Sequence, residues 1–171
     1  NNNQINNLKG SWRSVAPVDI DNNYTLDLIF GNGANGTNAL FENTGNGSFQ
    51  RILTNNLISG SSASGQAFLA DFDNDCDLDA FWADVRPGNN IFKINNGDGT
   101  FSSATNGDIV TKNKPAVTAS WIDLDNDGTL ELLVPEWQDF GTNYIFKDTG
   151  GSSLIKIDTG DFANATGKIW T

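Results

Sequence analysis

The hydrophobic residues of the chain fall in short runs, separated by turns rich in Gly, Asn and Asp. The runs are rich in β-branched and aromatic residues, which favour strands, and no stretch keeps the 3.6-residue period of an amphipathic helix. In the middle of the chain the pattern predicts four strands, at residues 66–70, 78–83, 91–94 and 101–105. The Gly/Asn turn at 95–99 is expected to supply positive φ angles. We therefore predict an all-β protein with almost no helix.

The same pattern occurs three times, with a constant spacing of 52 residues. An apolar and acidic segment begins at Asp19, Asp71 and Asp123 and reads DIDNNYTLDLIF, DFDNDCDLDAFW and DLDNDGTLELLV. Downstream, the turn NTGNGSF at 43–49 returns as NNGDGTF at 95–101. A constant period indicates a repeat architecture, and four strands in about 40–50 residues are typical of a propeller blade.

The predicted architecture is a propeller-type array of three four-stranded antiparallel blades, at residues 11–62, 63–114 and 115–166. Residues 1–10 match the end of a unit and are predicted to form a terminal strand or edge segment. Residues 167–171 resemble the first strand of an incomplete next blade. Closed propellers have typically about four to eight blades, so we expect open edge strands that other chains complete.

Each unit places carboxylates or amides at positions 1, 3, 5 and 9 of an acidic loop, and position 7 is expected to offer its backbone carbonyl. Converging hard oxygens suit calcium, which takes roughly six to eight of them. The sequence therefore predicts up to three calcium ions. Their candidate ligands are Asp19, Asp21, Asn23, Thr25 and Asp27, then Asp71, Asp73, Asp75, Asp77 and Asp79, then Asp123, Asp125, Asp127, Thr129 and Glu131.

These loops allow two other interpretations. An EF-hand also begins D-x-D-x-D-G but needs Glu at position 12, where this chain has Phe30, Trp82 and Val134. Its loops are therefore not EF-hands. The other alternative is a set of metal-free Asp/Asn turns, in which the oxygens would repel one another without compensation.

The three loops are expected to differ. Position 6 favours Gly, because left-handed backbone costs other residues about 1–2 kcal/mol. Gly128 meets this requirement, whereas Tyr24 and Cys76 do not. The loop at Asp19 also has only three carboxylates, so we predict that it binds calcium most weakly. Apolar residues at positions 2 and 8 are expected to point into the core: Ile20, Phe72, Leu124, Leu26, Leu78 and Leu130.

The chain contains a D-h-D-x-D-G-x-L-D-h loop, where h is an apolar residue, followed by an apolar strand and an N-x-G-x-G-x-F turn. Together these features resemble the FG-GAP/VCBS repeat. That family builds β-propellers like those of integrin alpha chains, and the resemblance covers nearly the whole chain. It implies that positions 1, 3, 5 and 9 hold calcium between strands of a blade. It also implies roles in adhesion, ligand binding or extracellular architecture.

Composition narrows the function further. The chain of 171 residues has no His and one Cys, which excludes Ser-His-Asp and Cys-His relays and zinc clusters. Its net charge of −11 argues against nucleic acid, whose binding rests on Lys and Arg. The apolar runs are too short to span a membrane. Carboxylate pairs suited to glycoside hydrolysis occur only in the loops, so we expect no catalysis.

These observations predict an extracellular, calcium-stabilised structural or adhesive module that assembles with other chains into a ring or filament. The calcium concentration outside cells is millimolar, which is high enough to fill such weak sites. One alternative is a calcium-dependent glycan-binding module, with Trp137 beside carboxylates as a platform for a sugar. A second alternative is a non-catalytic piece of a larger secreted enzyme.

Overall fold

The protein folds into three four-stranded antiparallel sheets, each ordered as its strands follow in sequence. The computed structural model describes residues 4–34, 36–60, 65–86, 90–111, 114–135, 143–149 and 153–158. The all-β fold with three four-stranded units is thus confirmed, whereas a propeller arrangement of the sheets stays a prediction.

The strands of the first sheet are β1 (Trp12–Val18), β2 (Asp27–Asn32), β3 (Ala39–Asn43) and β4 (Phe49–Ile52). Those of the second are β5 (Gln66–Ala70), β6 (Asp79–Ala83), β7 (Ile91–Asn95) and β8 (Phe101–Ser103). Those of the third are β9 (Ser120–Ile122), β10 (Glu131–Val134), β11 (Tyr144–Asp148) and β12 (Leu154–Lys156).

Tight turns set the register of the hairpins. In the turn between β7 and β8, Gly97 and Gly99 have φ angles of 81° and 75°, as the sequence predicts. A backbone hydrogen bond of 3.0 Å from Asn96 N to Thr100 O closes this turn. The equivalent turn between β3 and β4 is closed by a bond of the same length from Thr44 N to Ser48 O. The repeat therefore preserves turn geometry as well as strand pattern.

A short helical turn precedes each sheet: a 3₁₀ helix at Gln4–Asn7, another at Asn56–Ile58 and the four-residue α1 at Asp108–Thr111. Each turn contacts the last strand of the sheet that follows it. The contacts include hydrogen bonds from Arg51 N to Gln4 Oε1, from Asn56 Nδ2 to Phe101 O and from Lys156 N to Asp108 Oδ2. The first of these turns lies in the segment predicted as a terminal strand or edge. The similarity of residues 1–10 to residues 55–60 reflects the 3₁₀ turn that both segments contain. Residues 167–171 lie outside the described part of the chain.

The core consists of two layers, one on each side of the second sheet. Strand β6 is buried throughout, and after Asp79 at its start all its residues are apolar, as expected of a strand covered on both faces. Ala80 and Trp82 face the first sheet, while Phe81 and Ala83 face the third. The Trp82 indole Nε1 also donates a hydrogen bond of 3.0 Å to Leu57 O. Neighbouring sheets are therefore joined through the alternating side chains of one strand.

The two outer faces of the three-sheet array expose side chains that are covered elsewhere. At position 2, Ile20 and Phe72 are buried against the next sheet, but Leu124 is 43% exposed. At position 8, Leu78 packs against the first sheet, but Leu26 is 56% exposed. The prediction that Leu124 and Leu26 point into the core is therefore wrong. In the other units these positions face a neighbouring sheet. In the described part of the chain, no sheet covers Leu124 or Leu26.

We expect Trp82→Ala to lower the free energy of unfolding by about 3–5 kcal/mol, because truncation leaves a cavity between the first two sheets. Denaturant unfolding followed by circular dichroism measures the loss. Leu53→Ala, at an exposed site, is the control and should change stability by less than about 0.5 kcal/mol. Equal losses in the two variants would show that this contact does not stabilise the fold.

Candidate metal centre

The acidic loops occupy the same place in every unit, between the first and second strands of a sheet. In each loop the position-1 carboxylate accepts two backbone hydrogen bonds from inside the loop. Its Oδ1 accepts from the amide of position 5 and its Oδ2 from the amide of position 6. The distances are 3.0 and 2.8 Å at Asp19, 3.0 and 3.0 Å at Asp71, and 3.1 and 3.1 Å at Asp123. The loop is therefore curled around its first residue in all three copies.

Curling the loop requires left-handed backbone at two positions. Position 6 has φ angles of 65° at Tyr24, 75° at Cys76 and 86° at Gly128, which confirms the prediction made for it. Position 4 is also left-handed at Asn22, Asn74 and Asn126. Sequence reasoning missed position 4, although the same Asn in all three copies was the signal, since Asn adopts this conformation more readily than other side chains.

The position-9 carboxylate is buried at the start of the second strand. Asp27, Asp79 and Glu131 are each no more than 1% exposed. Asp27 Oδ1 and Asp79 Oδ1 accept hydrogen bonds of 2.8 and 2.7 Å from the amides of Asn43 and Asn95, on the third strand. These buried carboxylates therefore link the acidic loop to the second and third strands of the sheet.

The second loop has the donor set that best fits a cation. Carboxylate oxygens of Asp71, Asp73 and Asp75 lie within 4.8 Å of one another. Burial raises the pKa of Asp79 to about 7, against the hydrogen bond from Asn95, and the charges of Asp73 and Asp75 raise it further. The buried Asp79 Oδ2 has no donor in good hydrogen-bond geometry, although the nearby Phe72 amide acts to lower the pKa of Asp79. A divalent cation would offset part of this charge, so these residues could hold a metal ion.

The first loop is less acidic. Its Asn23 side chain donates a hydrogen bond of 3.0 Å to Asp21 Oδ2, and its backbone amide lies 3.3 Å from Asp21 Oδ1. Among the described residues, groups of three converging carboxylates occur in the second and third loops and not in the first. Burial raises the pKa of Asp27. The first loop therefore brings fewer charges together, in line with its predicted weaker binding.

The third loop contains a basic residue that sequence reasoning missed. Asp123, Asp125 and Glu131 place oxygens within 4.8 Å of one another, but the Lys147 ammonium lies among the same side chains. Lys147 Nζ is 2.7 Å from Asp125 Oδ2, 2.5 Å from Asp127 Oδ2 and 3.3 Å from Glu131 Oε1. Hydrogen bonds to Asp125 and Asp127 raise the pKa of Lys147, and the bond from Lys147 lowers the pKa of Asp127. The 52-residue spacing from Asn43 and Asn95 to Lys147 was the available signal.

Consecutive loops also contact each other. Asn22 Nδ2 in the first loop donates a hydrogen bond of 2.5 Å to Asp77 Oδ1 in the second. Asn74 Nδ2, the equivalent donor, reaches Gly128 O in the third loop at 3.4 Å. The left-handed Asn at position 4 therefore points each loop toward the next, and the three loops form one continuous row.

The chain belongs to the family of FG-GAP-like repeats. The family pattern matches residues 19–82 and again residues 71–134, so each match runs from one acidic loop into the second strand of the next unit. No curated protein matches the chain.

None of the helices in the described part of the chain is long and apolar enough to cross a membrane. Trp137 lies outside the described residues, so glycan contact there stays a prediction.

Reciprocal substitutions at position 6 test the left-handed geometry. We expect Gly128→Ala to lower the free energy of unfolding by about 1–2 kcal/mol. The cause would be conformational alone, since a Cβ there meets no other atom within 4 Å. Tyr24→Gly should raise stability, because the Tyr24 side chain is 98% exposed and its backbone has φ 65°. Thermal unfolding in chelator measures both, and an unchanged midpoint for Gly128→Ala would contradict this account.

Proposed function

We propose that this chain is an extracellular, non-enzymatic repeat module stabilised by calcium, which binds chiefly in its second acidic loop. The observation that carries the proposal is the second loop, where three converging carboxylates lie beside the buried Asp79. Calcium prefers carboxylate and carbonyl oxygens, and weak calcium sites suit the millimolar calcium found outside cells. The net charge of −11 adds to the attraction for cations.

In this proposal the residues of the loop hold the ion between two elements. Asp71, Asp73 and Asp75 come from the loop, and Asp79 is the first residue of β6. When bound, calcium would offset part of the negative charge of these carboxylates and fasten the loop to the second strand. Because the folded loop assembles these ligands, binding adds its free energy to the stability of the folded state.

Proposed assembly rests on the outer faces of the array. The face of the third sheet that exposes Ile122 and Leu124 is equivalent to the faces that the first and second sheets bury against their successors. The first sheet exposes Val15 and Leu26 on its outer face. In the second and third sheets, the equivalent face packs against the preceding sheet. We therefore expect the two outer faces to be complementary, because the equivalent faces pack together between neighbouring sheets of the chain. Repeated head-to-tail contact between copies would give a ring or a filament.

Calcium should stabilise the folded protein through the second loop. At a free calcium concentration about a hundredfold above the dissociation constant, we expect the free energy of unfolding to rise by about 2.7 kcal/mol. The double variant Asp71→Asn, Asp75→Asn should lose most of this gain. Denaturant unfolding with and without chelator measures it.

The matched control for calcium is Asp158→Asn, which removes a carboxylate paired with Lys156 outside the loops and should keep the full gain. A gain that is the same in all three proteins would contradict binding in the second loop. No gain in the unmodified protein would contradict the proposed function.

Assembly should depend on the exposed face of the third sheet. We expect light scattering in millimolar calcium to give a mass above 18.4 kDa that decreases on dilution. Leu124→Lys should lower this mass toward the monomer, because a charge would have to be buried at the contact. Leu53→Lys, on an exposed residue after β4, is the control. A monomer at every protein concentration would contradict assembly between copies.

A further inference from the structure

The third acidic loop departs from the other two at a pair of residues that face each other. Position 9 is Asp in the first two loops and Glu131 in the third. The residue 16 positions later is Asn43, Asn95 and then Lys147. Glu131 and Lys147 are direct partners across β10 and β11. Both departures from the repeat therefore occur at one place in the sheet.

In the first two units the equivalent Asn side chains are engaged away from the carboxylates. Asn43 Nδ2 donates to Leu26 O at 3.0 Å, and Asn43 Oδ1 accepts from Gly45 N at 2.9 Å. Asn95 makes the corresponding bonds, to Leu78 O at 3.3 Å and from Gly97 N at 3.1 Å. Neither side-chain amide donates to the acidic side chains of its loop, so the carboxylate group of the second loop stays open to a cation.

Lys147 does enter the cluster. Its ammonium contacts two loop carboxylates, Asp125 and Asp127, at 2.7 and 2.5 Å. It also lies 3.3 Å from the buried Glu131 Oε1, within ion-pair distance but without a hydrogen bond. An isolated surface ion pair contributes little, but here three carboxylates share one ammonium and one of them is 1% exposed. Asp125 and Glu131 also belong to the group whose oxygens converge, so a metal ion and the ammonium would compete for the same oxygens.

We propose that the Lys147 ammonium takes the place of calcium in the third loop, as a cation supplied by the chain itself. This inference rests on the proposed function, since it assumes that calcium fills the equivalent cluster of the second loop. The third loop is then closed without metal, whereas the second depends on it. Calcium would have to displace the ammonium and leave its charge close by. The loop that most closely matches the family's D-x-D-x-D-G pattern is thus the one with the least need for the ion.

The test replaces Lys147 with the residue found in the other two units. Nuclear magnetic resonance of the amides follows calcium binding loop by loop, with Gly128 and Thr129 reporting on the third loop and Cys76 and Asp77 on the second. In the unmodified protein, calcium that saturates Cys76 should leave Gly128 unshifted. In Lys147→Asn, Gly128 should respond at a calcium concentration at least tenfold lower than in the unmodified protein.

Two further variants keep the test decisive. Lys147→Gln is neutral but closer in length to Lys and should also gain calcium binding, so the proposal can be tested if the Asn variant does not fold. Lys147→Arg keeps the charge and should behave like the unmodified protein. If Gly128 and Cys76 respond at the same calcium concentration in the unmodified protein, or if neither neutral variant lowers the concentration at which Gly128 responds, the proposal is overturned.

Failure of the proposed function gives a different result. Cys76 would then stay unshifted in every variant up to millimolar calcium, which contradicts calcium binding in the second loop. A response of Gly128 in Lys147→Asn under those conditions would still support a Lys147 ammonium that excludes calcium from the third loop. No response at any amide in any variant would overturn both.

Discussion

A buried carboxylate at the start of each second strand is the constraint on which the rest of the structure depends. Asp27, Asp79 and Glu131 connect the acidic loop to the sheet at no more than 1% exposure, where an ionised group is costly without a compensating charge. The three loops answer this constraint differently. The first reduces its charge with Asn23, the second collects carboxylates, and the third brings in Lys147. The same backbone conformation therefore surrounds the buried carboxylate with a different arrangement of charges in each loop.

The same repetition explains how the sheets pack. Each strand places alternate side chains on opposite faces, so a central strand such as β6 contributes to both core layers at once. This arrangement makes the middle sheet the most completely buried and leaves one face of each outer sheet without a described neighbour. The exposed Leu26 and Leu124 are consequences of position in the array. Their sequence environment is the same as that of their buried counterparts.

Sequence alone predicted the features that repetition makes visible. The three sheets, the turn glycines and the left-handed position 6 follow from residue patterns that recur every 52 residues. The burial of Leu26 and Leu124 was predicted wrongly, because a periodic pattern does not reveal which copies have a neighbour. Lys147 was missed for another reason. It lies on β11, outside the loop motif, and only strand pairing places it opposite Glu131.

The helical turn before each sheet also bears on how such a chain can evolve. Since each turn contacts the last strand of the sheet that follows it, a unit contains all the strands of its own sheet and the segment that covers its edge. Duplication or deletion of one whole unit would therefore leave every remaining sheet intact and recreate the same junction between neighbours. The number of units can therefore change in steps of 52 residues without any new arrangement of the contacts between sheets.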